Sequence, residues 1–237
     1  MAQAQSPKVT NGSKDRVNEC AKLMASVFDD DPVYNWFLCN VPDAQRERSL
    51  LSMIQAMVKA TTVAGGHIVE AGDWGSSAAF CPPLCEPDGA LTILRAGLVP
   101  AMVKLGYSPC KRVLVDYSKA AGKTKSKGMT EEERHNGFWY VLIMGTSSKR
   151  RREGLAGALL GDIQSRAQDD GHPIWLEATT PESRQLYLKY GFEIVEEIRM
   201  GEGEVGASGR AKAGGEGIVI WGMIWRSRKA DSIVQAH

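Results

Sequence analysis

The sequence predicts an α/β (α+β) fold built on a mixed β-sheet of about seven strands. An apolar run of strand length at residues 138–145 leads through a basic, glycine-containing turn into a segment with apolar residues at helical spacing. A second short strand is predicted at Ile174–Ala178, so strand, helix and strand make a βαβ unit with parallel neighbouring strands. Two further apolar runs, at residues 67–71 and 76–83, are separated by a short turn and are typical of an antiparallel hairpin. A sheet that contains both kinds of pair is mixed.

The other elements are predicted from local patterns along the chain. Apolar positions in residues 17–28 fit an amphipathic helix, and a second amphipathic helix is predicted to open at Pro42 and to end before Gly65. Gly171 is predicted to end the helix of the βαβ unit, and a short helix with Thr180 as its N-cap is predicted to follow the next strand. The remaining strands are predicted at residues 8–10, 193–200 and 218–225.

Two long segments separate these elements. Residues 87–134 are interpreted as a helical insertion, within which the lysine- and glycine-rich residues 120–129 are expected to form a mobile loop. Residues 201–217 contain many glycines and few large apolar side chains, so they are expected to form a flexible hairpin loop. That loop is either a lid over a site or a tolerated insertion.

Composition and charge limit the class of protein. A formal net charge of +1 over 237 residues provides no field that would attract nucleic acid or an anionic membrane. No apolar run reaches membrane-spanning length, and the polar N-terminal stretch lacks the apolar core of a signal peptide. The five cysteines are scattered, so we expect reduced thiols in a cytoplasmic protein. Cys81 and Cys85 have no histidine cluster beside them, which disfavours a metal site.

The basic turn of the βαβ unit is a candidate phosphate-binding site. A helix N-terminus presents unpaired backbone N–H groups and the positive end of the helix dipole to an anion. Gly154 and Gly157 allow a ligand to approach the backbone closely, and four consecutive cations at residues 149–152 lie beside them. The alternative is a solvated basic turn in front of an ordinary helix.

Several motifs in this region resemble one family. Arg151-x-x-Gly154-x-Ala156 resembles the (Gln/Arg)-x-x-Gly-x-(Gly/Ala) signature of the GNAT superfamily of acyl-CoA-dependent N-acyltransferases. Residues 139–146, WYVLIMGT, are similar to the family's WYLxxLGV strand, and residues 176–192 resemble its LE…LYEKLGF segment. The Glu-to-Tyr interval in that segment, and the DDDP…W run after the first helix, are similar to those of puromycin N-acetyltransferase-like proteins. The resemblance implies a single GNAT-like domain with helices on both faces of the sheet.

The resemblance also implies a cofactor site. In this family the turn holds the pyrophosphate of acetyl-CoA, the end of the preceding strand pairs with the pantetheine arm, and an amide there meets the developing oxyanion. The residues implied for cofactor binding are Met144, Gly145, Thr146, Arg151, Arg152, Glu153, Gly154, Leu155, Ala156, Gly157 and Ser183. Three of them depart from the family pattern, since Thr146 replaces a valine, Glu153 adds a carboxylate and Ser183 replaces an asparagine.

Two residues are implied for catalysis. Glu177 ends its strand at the implied site, where a carboxylate can deprotonate the acceptor ammonium directly or through water. Tyr187 is implied as the acid that protonates the leaving thiolate, because a phenol of ordinary pKa about 10 can do so with little penalty. The alternatives are a structural carboxylate that holds loop amides and a core aromatic of the last helix.

Acceptor binding is implied for Asp30, Asp31, Tyr34 and Trp139, where a carboxylate cluster at a pocket mouth would attract a cationic amine. The alternative is a helix corner with solvated aspartates and buried aromatic residues. The insertion is expected to pack on this acceptor side, where His135 is a further candidate for substrate contact.

The sequence therefore predicts an acetyl-CoA-dependent N-acetyltransferase that acts directly on a primary amine of a small molecule, which is drug-, polyamine- or metabolite-like. The alternatives are a protein N-acetyltransferase that acts on lysine or N-terminal amines, and a non-catalytic acyl-CoA-binding protein. We expect a monomer or homodimer without a nucleic-acid, membrane or metal partner.

Overall fold

A seven-stranded mixed sheet forms the centre of the molecule. The computed structural model describes residues 7–85, 92, 95–96 and 99–227. The strands are β1 (Val9–Gly12), β2 (His67–Ala71), β3 (Ser76–Cys81), β4 (Trp139–Thr146), β5 (Ile174–Ala178), β6 (Glu193–Met200) and β7 (Ile218–Trp225), in the order β1-β2-β3-β4-β5-β7-β6. The predicted mixed sheet is therefore confirmed, and the predicted bounds of β2, β5, β6 and β7 agree with the structure.

The sheet contains one parallel pair, β4 with β5, and that pair is short. Every other neighbouring pair is antiparallel. β4 and β5 are in register only at Trp139↔Ile174 and Tyr140↔Trp175, although β4 continues to Thr146. The two strands therefore diverge towards their carboxyl ends and leave a cleft between the two halves of the sheet.

Helices cover both faces of the sheet, as predicted. They are α1 (Val17–Val27), α2 (Pro32–Phe37), α3 (Asp43–Val63), α4 (Val99–Leu105), α5 (Tyr107–Lys111), α6 (Ser118–Gly128), α7 (Glu131–Asn136), α8 (Leu155–Asp170) and α9 (Pro181–Lys189), with a π-helical segment at Arg112–Tyr117. α8 and α9 pack on one face, and α1, α2, α3 and α6 pack on the other. Neighbouring residues such as Ile68 and Val69 contribute to different clusters because side chains alternate along a strand.

The helix ends that flank the cleft have the predicted capping chemistry. Gly154 (φ 77°) and Gly171 (φ 73°) lie in the left-handed region on either side of α8. Thr180 caps α9, because its hydroxyl accepts a hydrogen bond from the Ser183 amide, and Pro181 occupies the first helical position. These caps fix the points at which the chain leaves β4 and β5.

The prediction of a mobile loop at residues 120–129 is wrong, because most of this segment is helix α6. Its small residues explain the difference, since Ala121 and Thr124 are buried against the sheet while the lysines lie on the other sides. The Thr124 hydroxyl also donates to Glu196 on β6 at 3.0 Å. Burial of one face stabilises the helix in spite of its glycines. The start of the predicted insertion, residues 87–91, lies outside the described residues.

Residues 201–217 are predicted to form a flexible hairpin loop, but in the structure they form an ordered loop with its own hydrogen bonds. The loop folds back on itself through bonds such as Gly203 N–H to Gly215 O at 2.8 Å, and Val205 is fully buried in the core. It also packs on α2, where Asn35 Nδ2 donates to Ser208 O at 2.9 Å. Several glycines with positive φ make these tight turns possible without strain, and a single buried valine anchors them.

Within the described part of the chain, no helix has the length and apolar character needed to cross a membrane.

Candidate active site

The cleft between β4 and β5 holds a small cavity of about 80 Å³. Its walls combine the diverging strands with side chains from α2 and α9, and they include Tyr34, Met144, Leu176, Glu177, Ser183 and Tyr187. Five residues of the sequence-based site prediction, Tyr34, Met144, Glu177, Ser183 and Tyr187, are thus brought together here.

Glu177 is held by two hydrogen bonds at the edge of this cavity. Its Oε2 accepts from the hydroxyl of Tyr140 at 2.9 Å, and its Oε1 accepts from the indole Nε1 of Trp175 at 2.7 Å. Trp175 lies two residues before Glu177 on β5, so both side chains point to the same face of the sheet. A carboxylate has about four acceptor positions, so capacity remains for the neighbouring Tyr117 hydroxyl and for a substrate or water. The carboxylate is therefore oriented and still able to accept a proton.

Tyr187 lies on the same cavity, from α9. The side chain is almost fully buried and its ring packs on Phe192, with 5.6 Å between ring centroids. Burial raises the pKa of Tyr187, and the Asp31 carboxylate raises it further. The hydroxyl is therefore held in its protonated form across the neutral pH range, so it can donate a hydrogen bond but is a weaker acid than a solvated phenol.

Tyr117 is a further residue of the site that sequence reasoning missed. It ends the π-helical segment and lines the small cavity together with Tyr140 and Glu177. Burial raises the pKa of Tyr117, and the negative charge of Glu177 raises it further. No local motif marks this tyrosine, because its position depends on how the insertion packs on the sheet. π-helical turns occur frequently at functional sites.

A larger cavity of about 360 Å³ adjoins the small one. Its walls come from α3, the helices of the insertion and the first half of β4, and most of the lining side chains are apolar. Tyr117, Tyr140 and Leu142 line both cavities, so the larger one opens next to Glu177. The described part of the insertion therefore packs beside the candidate active site.

Trp139 does not take part in either cavity, which contradicts its prediction as a substrate-binding residue. It is buried on the opposite face of the sheet, against Phe80 and His67, with ring centroids 5.7 and 6.4 Å away. The residue that faces both cavities is its neighbour Tyr140. A shift of one residue along a strand moves a side chain to the other face.

The aspartates before α2 also lie elsewhere than predicted. Asp30 is exposed and forms an ion pair with Arg210 at 3.1 Å. Asp31 is buried as the N-cap of α2, and its carboxylate accepts hydrogen bonds from the Val33 amide at 2.9 Å and the Thr179 hydroxyl at 2.5 Å. Neither residue lines either of the two cavities, and Asp31 caps a helix as in the helix-corner alternative but is buried, whereas Asp30 is solvated. Tyr34, by contrast, lines the small cavity.

The turn before α8 presents unpaired amides, as predicted. No side chain caps this helix, and its first helical bond joins the Ala158 amide to Gly154 O at 3.0 Å. The N–H groups of the three residues before Ala158 therefore face outward without a helical acceptor. A Cβ atom at Gly157 would lie 1.8 Å from Tyr190 Oη, so a larger residue there requires Tyr190 or the turn to move.

The cations of this turn are partly neutralised. Glu153 accepts from Arg150 Nε at 2.8 Å, and Arg150 also donates to Gly72 O at 3.0 Å. Arg150 thus joins the turn to the β2–β3 hairpin, while the exposed Arg151 and Arg152 remain to face an anion. Glu153 thus neutralises Arg150 and leaves Arg151 and Arg152 as cations of the turn without a carboxylate partner among the described contacts.

Of the remaining residues predicted to bind the cofactor, some line the small cavity and others contact neighbouring elements of the fold. Met144 lines the small cavity, but the Cβ position of Gly145 is filled by Val27 of α1, at 2.7 Å. The Thr146 hydroxyl lies 2.8 Å from Ser76 Oγ on β3. Ser183 lines the cavity, although its hydroxyl donates to Thr180 O at 2.9 Å within the α9 cap. No group of His, Cys, Asp and Glu in the described part of the chain could hold a metal ion.

Comparison with known proteins identifies the fold. No protein-family model matches the chain. An N-acetyltransferase of Schizosaccharomyces pombe, named as uncharacterised, is 27% identical over 174 residues, which span 73% of this chain and 69% of that protein. A solved histone acetyltransferase and related acetyltransferase of Corynebacterium glutamicum has a TM-score of 0.56, with 20% identity over 94% of this chain and 98% of that one. A polyamine N-acetyltransferase of Drosophila melanogaster has a TM-score of 0.58, with 14% identity over 93% and 100% of the two chains.

Proposed function

We propose that this chain, which has the fold of the GNAT N-acetyltransferases, is an enzyme that transfers an acetyl group directly from acetyl-CoA to a primary amine of a small molecule. The observation that carries the proposal is the position of Glu177, which is oriented by two hydrogen bonds in a cleft between diverging strands and adjoins an apolar cavity. That combination provides a base next to a space for an acceptor.

The residues present fit the donor. Acetyl-CoA would supply the acetyl group as an activated thioester. The uncapped amides at the start of α8, with Arg151 and Arg152 exposed beside them, would hold the pyrophosphate. The edge of β4 that turns away from β5 would offer backbone hydrogen bonds to the pantetheine arm near Met144. An amide at this edge would stabilise the negative charge that develops on the carbonyl oxygen.

Glu177 would act as the general base. An amine is an ammonium at neutral pH and must lose a proton before it can attack. The free acceptor positions of the Glu177 carboxylate would take that proton directly or through one water molecule, while Tyr140 and Trp175 keep the carboxylate in place. The apolar side chains around the partly buried carboxylate would strengthen its interaction with the ammonium.

Tyr187 would donate a hydrogen bond from its hydroxyl to the departing sulfur. Its position on the same cavity as Glu177 supports this role. Because the pKa of Tyr187 is raised, donation of a hydrogen bond to the thiolate is favoured over complete transfer of the proton. The presence of both residues on one cavity also supports our assignment to the puromycin N-acetyltransferase-like branch.

The walls of the larger cavity favour a small acceptor over a protein, because they come from several separate elements and surround the space on more than one side. Thiol release from acetyl-CoA should be measured with a panel of small amines and with lysine-containing peptides. Faster release with small amines, lost in Glu177→Gln, is the expected result. Release with peptides alone would support the protein acetyltransferase alternative, and donor binding without release would support a non-catalytic binding protein.

A further inference from the structure

The larger cavity has an uneven distribution of charge. Among the described residues that line it there are two cations, Lys125 and Arg134, and no carboxylate. Glu177 lines only the adjoining small cavity. The remaining walls are mainly apolar side chains such as Met53, Met57 and Leu114. Among the described residues, an acceptor that fills this space therefore meets one negative group, Glu177 at the reacting end, and no carboxylate along its body.

Lys125 lines the larger cavity and contacts Tyr140, which lines both cavities. Its Nζ is 4.1 Å from the centroid of the Tyr140 ring and 5.8 Å from that of Phe138, so the ammonium is held over aromatic faces. The hydroxyl of the same Tyr140 donates to Glu177. The positive charge is thus fixed one aromatic ring away from the candidate base.

Arg134 is held differently. Its Nη1 donates to two backbone oxygens, Ser126 O at 2.9 Å and Met129 O at 2.6 Å. These bonds tie the guanidinium to the end of α6, where it also satisfies helix carbonyls. Of these two cations, Lys125 is therefore the one that is linked to Glu177 through a shared neighbour, Tyr140.

We propose, on the basis of the proposed function, that the acceptor is a primary amine with an apolar alkyl or aryl body and no second cationic group, and that Lys125 excludes diamines and polyamines. An ammonium taken from water into an apolar space without a carboxylate partner is strongly disfavoured. A like charge nearby disfavours it further. An acceptor whose alkyl or aryl part carries no charge avoids both of these costs. The volume of the cavity, about 360 Å³, lies within the usual range for small-molecule sites.

A matched pair of acceptors tests this inference. Hexylamine and 1,6-diaminohexane have the same chain length and differ by one ammonium group. With the full-length protein and acetyl-CoA, we expect kcat/KM for hexylamine to exceed that for the diamine by about tenfold or more. Equal values, or faster reaction of the diamine, would overturn the inference.

Variants on one helix locate the effect. Lys125→Glu replaces the repelling charge by an attracting one and is expected to shift the ratio of the two kcat/KM values by about tenfold towards the diamine. Lys123→Glu is the matched control, since Lys123 is exposed on α6 and lines neither described cavity, and the ratio should stay unchanged. A ratio that responds equally to both substitutions would contradict a specific role for Lys125.

The shift in melting temperature on amine binding distinguishes a failure of the predicted amine preference from a failure of the proposed acetyltransferase function. We expect hexylamine to raise the melting temperature of the wild-type protein more than 1,6-diaminohexane does at equal concentration. If neither amine releases CoA but this difference is seen, the proposed function fails and the cavity preference stands. If both amines release CoA equally and shift the melting temperature equally, the function stands and the preference is wrong.

Discussion

The hydroxyl of Tyr140 donates a hydrogen bond to Oε2 of Glu177 across the point where β4 and β5 separate. Tyr140 is one of the two β4 residues still in register with β5, and Glu177 lies two residues beyond its partner Trp175. The bond therefore braces the cleft at its narrow end and fixes the direction of the carboxylate. The candidate base is held by the same feature that opens the space around it.

Replacement of Glu177 by glutamine tests the general base. Glutamine keeps the shape: its amide oxygen can accept from Trp175 Nε1 while its NH2 group donates to the Tyr140 hydroxyl oxygen, but it cannot take a proton at neutral pH. We expect Glu177→Gln to bind acetyl-CoA normally and to turn over about 10²–10⁴-fold more slowly. Glu182→Gln, on the exposed start of α9, is the control and should retain full activity. Loss of folding, or less than a tenfold loss of turnover, would indicate a structural carboxylate.

Replacement of Tyr187 by phenylalanine tests the thiolate donor. The change removes one oxygen and keeps the packing on Phe192, so the melting temperature should change little while turnover falls. A more acidic aryl thioester needs less help from a donor and should partly restore the rate. Tyr107→Phe, at an 81% exposed tyrosine, serves as the control.

The pH profile gives a second check on Tyr187. Because its pKa is raised, the wild-type rate should show no decline from deprotonation of this residue below pH about 10, the ordinary value for a phenol. Wild-type turnover in Tyr187→Phe would assign the role to water or to Tyr117.

Two glycines on α8 provide a matched test of the donor site. An alanine at Gly157 would place its Cβ 1.8 Å from Tyr190 Oη, at the N-terminal turn proposed to bind pyrophosphate, whereas Gly161 has open space around it. We expect Gly157→Ala to weaken acetyl-CoA binding by at least about tenfold, because Tyr190 or the turn must move. Gly161→Ala should leave the affinity unchanged. Calorimetric titration measures both, and equal affinities would refute the assignment of this turn.

Asp30 and Asp31 are expected to affect stability with opposite dependence on pH. Burial raises the pKa of Asp31, so its charged form is disfavoured in the folded state and it lowers the free energy of unfolding as pH rises above about 3.9, its ordinary value. The hydrogen bond from Arg210 lowers the pKa of Asp30, so its small contribution is lost as pH falls through the acid range. Denaturant unfolding between pH 3 and 7 should show that Asp31→Asn removes a decline in stability and Asp30→Asn removes a rise. Parallel curves for both variants would contradict these assignments.

Local patterns were sufficient to predict most of the fold. Strands such as Ile174–Ala178 and His67–Ala71 were predicted with their observed bounds, because apolar runs between turn residues determine them. The caps of α8 and α9 were also predicted, since Gly171 and Thr180 act on their immediate neighbours. Glu177 and Tyr187 were predicted to act together, and both line one cavity, although their catalytic roles stay predictions.

Features that depend on distant contacts were not predicted. The sequence predicts Trp139 as a substrate contact, whereas Tyr140 faces the cavities, because a largely apolar strand does not reveal which of its faces meets the site. α6 was interpreted as a loop because its stability comes from burial of Ala121 and Thr124 against the sheet, which no local pattern shows. Tyr117 reaches the cleft only through the packing of the insertion.

The short parallel pairing of β4 with β5 would also influence how long the protein persists in a cell. Only two residue pairs of β4 and β5 are in register, with the Tyr140–Glu177 hydrogen bond beside them. A donor whose amide-bearing arm lay along the open edge of β4 would bind the folded chain and not the unfolded one, and would raise its stability with the logarithm of donor concentration. Proteases act on opened chains, so the degradation rate of this protein would fall when acetyl-CoA is plentiful and rise when it is scarce. Its abundance would then follow the metabolic supply of acetyl groups, independently of any change in synthesis.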